Sequence, residues 1–154
     1  MTGLDGADGA DGFEPIHVVE DVHDAWPLQG IASYGGRPHA FKRRFDEERD
    51  DYAPDYELWP IDDETFRWSL EQSAIFTRWR EAFDARRTGD ETFPALPEER
   101  PRYEELEALL GNRLKRPAGA GTFRAIPQFK DLDLGARATG QVRWKPLSPP
   151  PDSL

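Results

Sequence analysis

The chain has 154 residues, 30 acidic against 20 basic side chains, a formal net charge of −10, 37% hydrophobic content and no cysteine. These values fit one globular domain with a modest core. They exclude disulfides, thiolate metal sites and cysteine nucleophiles, and they argue against binding a phosphate backbone, which needs a basic footprint.

Residues 1–13 contain the run Asp5-Gly6-Ala7-Asp8-Gly9-Ala10-Asp11-Gly12. It is too short for a collagen helix and lacks the spacing and closing glutamate of a calcium loop. It reads as a disordered acidic tail. No basic and apolar leader opens the chain, and no apolar run approaches the length of a membrane span, so the cytoplasm is the expected address. Residues 14–28 are rich in Ile and Val and read as an extended segment with a turn before Trp26-Pro27. His17, Glu20, Asp21, His23 and Asp24 gather here, but without a ligand spacing that would converge on an ion. They read as an exposed polar stretch, and no metal or other cofactor is expected.

The clearest β signal is Leu28–Tyr34, Gly35-Gly36, then Arg37–Phe45. A Gly pair between two extended runs fits a two-residue hairpin turn, which needs positive φ at both positions. Alternation places His39, Phe41, Arg43 and Phe45 on one face, which is expected to pack on the helix that follows. The charge run Asp46–Asp51 reads as a solvated loop or as an acidic docking patch. Tyr56–Ile61 reads as a third strand, with Tyr56 and Leu58 on one face and Trp59 and Ile61 on the other.

The spacing predicts a long central helix over 62–87. Asp62 suits the N-cap, Asp63 and Glu64 suit the positive end of the dipole, and Gly89 suits a left-handed stop. Trp68, Ile75, Phe76, Trp79, Ala82 and Phe83 share one face, and Phe66, Leu70, Ala74 and Thr77 share a second. Two apolar faces imply packing on two sides, with strands shielding Trp68, Trp79 and Phe83. A Pro-rich connection over 88–100 leads to a shorter helix. Pro101 can start it, Tyr103, Leu106, Leu109 and Leu110 form its stripe, and Gly111 ends it. A basic, Gly-rich loop (112–121) lacks the phosphate-loop pattern. Residues 122–129 and 141–147 read as strands, the last with Val142 and Trp144 inward and expected to return to the N-terminal sheet. Residues 148–154 read as a Pro-rich tail. The expected fold is therefore α+β: one domain over 14–147, with a small antiparallel, barrel-like sheet packed on the long helix and the second shorter one.

Function is written less clearly. The histidines are His17, His23 and His39, no Gly-x-Ser-x-Gly elbow is present, and no catalytic residue is assigned. The leading expectation is a non-catalytic protein-binding or accessory module, of adaptor or immunity type. It would offer Glu47, Glu48, Asp50 and Asp51 to a partner protein with a basic surface. The rival is a small-ligand, anion or enzyme site on the hairpin, built from Tyr34, Arg37, His39 and Arg43. Nucleic-acid binding through Lys42, Arg43, Arg44 and the 113–116 loop is opposed by the net charge.

Overall fold

The computed structural model describes residues 12–115, 117, 121–134 and 139–147. The expected tails, 1–13 at its first eleven positions and 148–154 throughout, lie outside the described residues, as does most of the 116–120 loop. Among the described residues six strands run in chain order: β1 (Glu14–His23), β2 (Trp26–Tyr34), β3 (Arg37–Asp46), β4 (Asp51–Pro60), β5 (Phe123–Asp133) and β6 (Thr139–Pro146). Each pairs antiparallel with the next, and β1 pairs back onto β6 through Glu14↔Val142 and Ile16↔Gly140, which closes a barrel. Among the described residues two seams are short: β1 meets β6 over Glu14–Ile16, and β4 meets β5 over Tyr56–Leu58. The return of the last strand to the N-terminal sheet is as the sequence suggests.

Local chemistry explains the hairpins. Gly35 and Gly36 both have positive φ (61° and 77°) and join β2 to β3. Between β1 and β2 the same turn is made by Asp24 and Ala25, at φ 56° and 64°. This second hairpin extends the expected polar segment into a ten-residue strand. The charge run contributes Asp46 to β3 and Asp51 to β4, with a short turn between them. Asp46 accepts the amides of Glu48 (3.1 Å) and Arg49 (3.3 Å), so one carboxylate of the run builds the turn.

The barrel carries its own core. Phe41, Tyr56 and Trp144 meet with ring centroids 5.5–5.8 Å apart, packed with Ile16, Leu58, Phe123 and Val142. Gly30 lies opposite Phe41, and a Cβ there would collide with the Val18 carbonyl and the Phe41 ring. Phe41, expected against the long helix, therefore belongs to the barrel interior. Ile31, Ala40 and Trp59, cross-strand neighbours on the opposite side of the wall, are buried too.

The second compact unit, Asp62–Lys115, stands between β4 and β5 in the chain. Its helix α1 runs Asp63–Asp84, and the Asp62 carboxylate caps it by accepting from the Thr65 amide at 2.7 Å. Helix α2 runs Arg100–Leu110. Ile75, Ala95 and Leu106 form this unit's core, with Trp68 and Tyr103 against it. Arg102 grips Glu71 with two bonds of 2.7 and 2.8 Å, and Arg78 binds Glu99, so α2 does cover α1. The expected second apolar face of α1 is only partly buried: Phe66 and Thr77 are half-buried, Leu70 and Ala74 are exposed, and Thr65 and Ser69 are buried. No helix is long and apolar enough to cross a membrane, among the described residues.

Candidate functional site

Antiparallel order fixes which turns meet. The end of β1, the start of β2, the end of β3, the start of β4, the end of β5 and the start of β6 all lie at one end of the barrel. That end collects Asp21 and Asp24, then Glu47, Glu48, Asp50 and Asp51, then Asp131 and Asp133. Asp21, Asp24, Asp50 and Asp131 all have positive φ. Aspartate tolerates that region better than most side chains, so part of this acidity serves the backbone. Glu47 and Glu48 have no such duty.

The acidic end has an apolar centre. Tyr52 of β4 packs against Phe45 of β3 (5.1 Å) and, across the mouth, against His23 of β1 (5.0 Å). Phe45 is 44% exposed and Val22 46%. Below them Arg43 donates its Nε to the Ala53 carbonyl at 2.9 Å. Its guanidinium lies 5.0 Å from the Trp26 ring and 5.5 Å from the Tyr52 ring, a cation–π arrangement. Its Nη1 is buried without a hydrogen-bond partner. Tyr56 beneath it donates to the Pro27 carbonyl at 2.6 Å. Burial drives the Tyr56 phenol well above its usual pKa, with the Arg43 charge opposing. These contacts stopper the mouth.

Of the hairpin residues proposed as a ligand site, the structure brings three together at the opposite end. The Tyr34 ring meets His39 edge-on at 5.4 Å, and Arg37 is the cross-strand partner of Tyr34. His39 is buried and donates Nδ1–H to the Arg37 carbonyl at 2.9 Å. Burial holds its pKa below the ordinary histidine value, and the Arg37 charge adds to that. Tyr34 is raised, first by burial and then by Glu14. Arg43 is not with them. It sits four residues along β3, about 13 Å at strand rise, committed to Ala53 and the aromatic rings.

A residue the sequence reading passed over organises this end. Glu14 accepts the amides of Gly35 (2.9 Å) and Gly36 (2.7 Å). A paired-amide turn is an anion cradle, and here the chain's own carboxylate fills it. The only sequence signal for it was an acid at the start of a strand.

Elsewhere, His17 meets Ser33 at 2.9 Å and His23 pairs with Asp24 at 3.1 Å. Among the described residues no three His, Asp or Glu side chains are placed to share an ion. No family model, curated protein or solved structure matches the chain.

Proposed function

We propose that the protein is a non-catalytic binding module that presents the acidic end of its barrel to a basic surface on a partner protein. The observation that carries this reading is the composite surface itself. Glu47, Glu48, Asp50 and Asp51 share one end with the acids of two other strand pairs, around the exposed Phe45 and Val22 and the half-buried Tyr52. An aromatic centre inside a charged rim is the anatomy of a protein interface, and the rim sets association rate and partner choice.

The test must remove charge without breaking the turn. Asp46 and Asp51 accept backbone amides, and Asp50 has φ 54°, so lysine there would add strain. Glu47→Lys, Glu48→Lys and Asp50→Asn together avoid both problems. Immobilised wild-type chain should retain a basic protein from its native source, and the triple variant should bind that protein about tenfold more weakly. Equal retention by the variant would remove this surface from the account.

A further inference from the structure

The barrel wall opens at its acidic end. Strands β4 and β5 pair only at Tyr56↔Ala125, Glu57↔Arg124 and Leu58↔Phe123, although both strands run on toward that end. The sequence says why the ladder stops. The same register, carried two residues further, sets Pro54 of β4 opposite Pro127 of β5. Neither proline has an N–H, so no bonded pair can form between them. Just before that point the link passes to side chains, with Asp55 facing Arg124 at 3.5 Å.

Past the prolines, β5 presents backbone with no strand beside it. The Arg124 carbonyl accepts the Leu147 amide at 2.8 Å, which turns Arg124 toward the β6 side. Backbone groups alternate in direction along a paired strand. Those of Ala125, Pro127 and Phe129 therefore turn toward β4. Phe129 stands level with Val142 of β6 in a pair that exchanges no bonds, and among the described residues no strand meets its N–H and C=O on the other side. Across the opening the Tyr52 amide is taken by the Asp51 carboxylate at 2.7 Å, not by a strand. The Phe129 ring is half-buried, 5.3 Å from Trp26 and 6.3 Å from Tyr56.

We propose that an extended, basic segment of the partner protein adds to β5 at this opening as a further strand. This rests on the reading that the acidic end is the partner-binding surface, and it says how the partner engages it. A bare strand edge is a template for backbone pairing. Phe129 offers both of its groups and Pro127 its carbonyl. Charge selects the occupant. Past the prolines stand Asp50, Asp51, Asp131 and Asp133, against Lys130 and the inward Arg43. The turn beside them adds Glu47 and Glu48 against Arg49. A nucleic acid is repelled by this excess, and a second copy of a chain of net charge −10 would bring the same acids to the seam. An added strand sets alternate side chains on opposite faces, one set toward the Phe129 ring and the other toward solvent and the acids. The segment that fits alternates apolar and basic residues.

The test is fluorescence anisotropy of the full chain with a labelled peptide of about seven residues, alternating Lys and Val. Saturable binding is expected, weakening as salt screens the acids. Two further peptides carry N-methyl groups, one on every Lys amide and one on every Val amide, with charge unchanged in both. In a strand only one of these sets of amides points at β5. One methylated peptide should therefore bind about tenfold more weakly and the other within about twofold of the parent. Hydrogen exchange at the Phe129 amide should slow about tenfold when the parent peptide saturates the chain. The idea is overturned by no saturable binding at about 1 mM peptide, by equal affinity of all three peptides, by equal loss in both methylated ones, or by unchanged exchange at Phe129. Equal affinity of all three, with weaker binding to the Glu47→Lys, Glu48→Lys, Asp50→Asn chain, would strike the added strand and leave the acidic surface standing.

Discussion

Arg86 shows how a single side chain can be badly suited to its backbone position. Its φ of 61° is one that glycine adopts freely and a side chain does not. Arg86→Gly is therefore expected to raise stability by about 1 kcal/mol, read as a higher urea midpoint with unchanged slope. A lower midpoint would mean that the side chain holds the helix end after all. His39 offers a second test at this scale. Burial disfavours its charged form, and its bond to the Arg37 carbonyl fixes the proton on Nδ1. The folded pKa lies below the unfolded one, so as pH falls below about 6.5 the unfolded chain takes up a proton that the folded chain refuses. Stability should decline on acidification from that value, before the carboxylates titrate. His17, also lowered by burial, adds in the same direction. Replacing His39 with Gln should flatten part of the slope in denaturation curves taken between pH 7 and the onset of acid unfolding. A stability that rises through this window would contradict the assignment.

At the scale of elements, strands β3, β4 and β5 are tied across the outer wall by one buried carboxylate. Asp55, its side chain 6% exposed, receives two bonds from Arg44 (2.9 and 3.1 Å) and faces Arg124 at 3.5 Å. Burial alone would raise its pKa, but the two guanidinium groups outweigh burial and hold it below the usual carboxylate value. Removing either partner is not equivalent. Arg44→Ala leaves a buried charge with one more distant partner and should cost about 2 kcal/mol. Asp55→Asn frees two arginines that water can reach and should cost less. Equal costs in paired denaturation curves would contradict this asymmetry. The sequence made some of these elements plain and hid others, for physical reasons. Gly35-Gly36 announces a turn because only glycine adopts its angles without penalty, and Val142 and Trp144 alternate cleanly because one side of β6 faces the core. The turn expected before Trp26-Pro27 is made by Asp24 and Ala25, but it carries no glycine, so the chain did not show that it closes a hairpin. The run Asp46–Asp51 looked like a loop because charge marks solvent exposure, not backbone conformation. Arg43 shares a face with Phe41, but only the rings of Trp26 and Tyr52, brought in from other strands, explain why a cation belongs there. For the same reason the site was half legible. The acids at 47–51 could be listed from the chain, whereas their company at one end depends on closure of the barrel. Glu14 took on meaning only when Gly35 and Gly36 folded back onto it.

At the scale of the whole molecule, each compact unit holds its own apolar core: the barrel around Phe41, Tyr56 and Trp144, and the helical unit around Ile75, Ala95 and Leu106. Six strands run in sequence order around the barrel, so alternate turns fall at alternate ends. This ordering separates the two surfaces first suspected from the sequence. One end carries Glu47, Glu48, Asp50 and Asp51 around Phe45, and the other carries Tyr34, Arg37 and His39 around the carboxylate of Glu14. A titration of the isotopically labelled chain, followed by amide NMR shifts, tests the choice between them most directly. The titrant is the basic protein that the wild-type chain retains. The account predicts shifts concentrated at Val22, Asp24, Phe45 and 47–52, with the Gly35–His39 turn silent. Shifts centred on Tyr34, Arg37 and His39, with the acidic end unmoved, would contradict it.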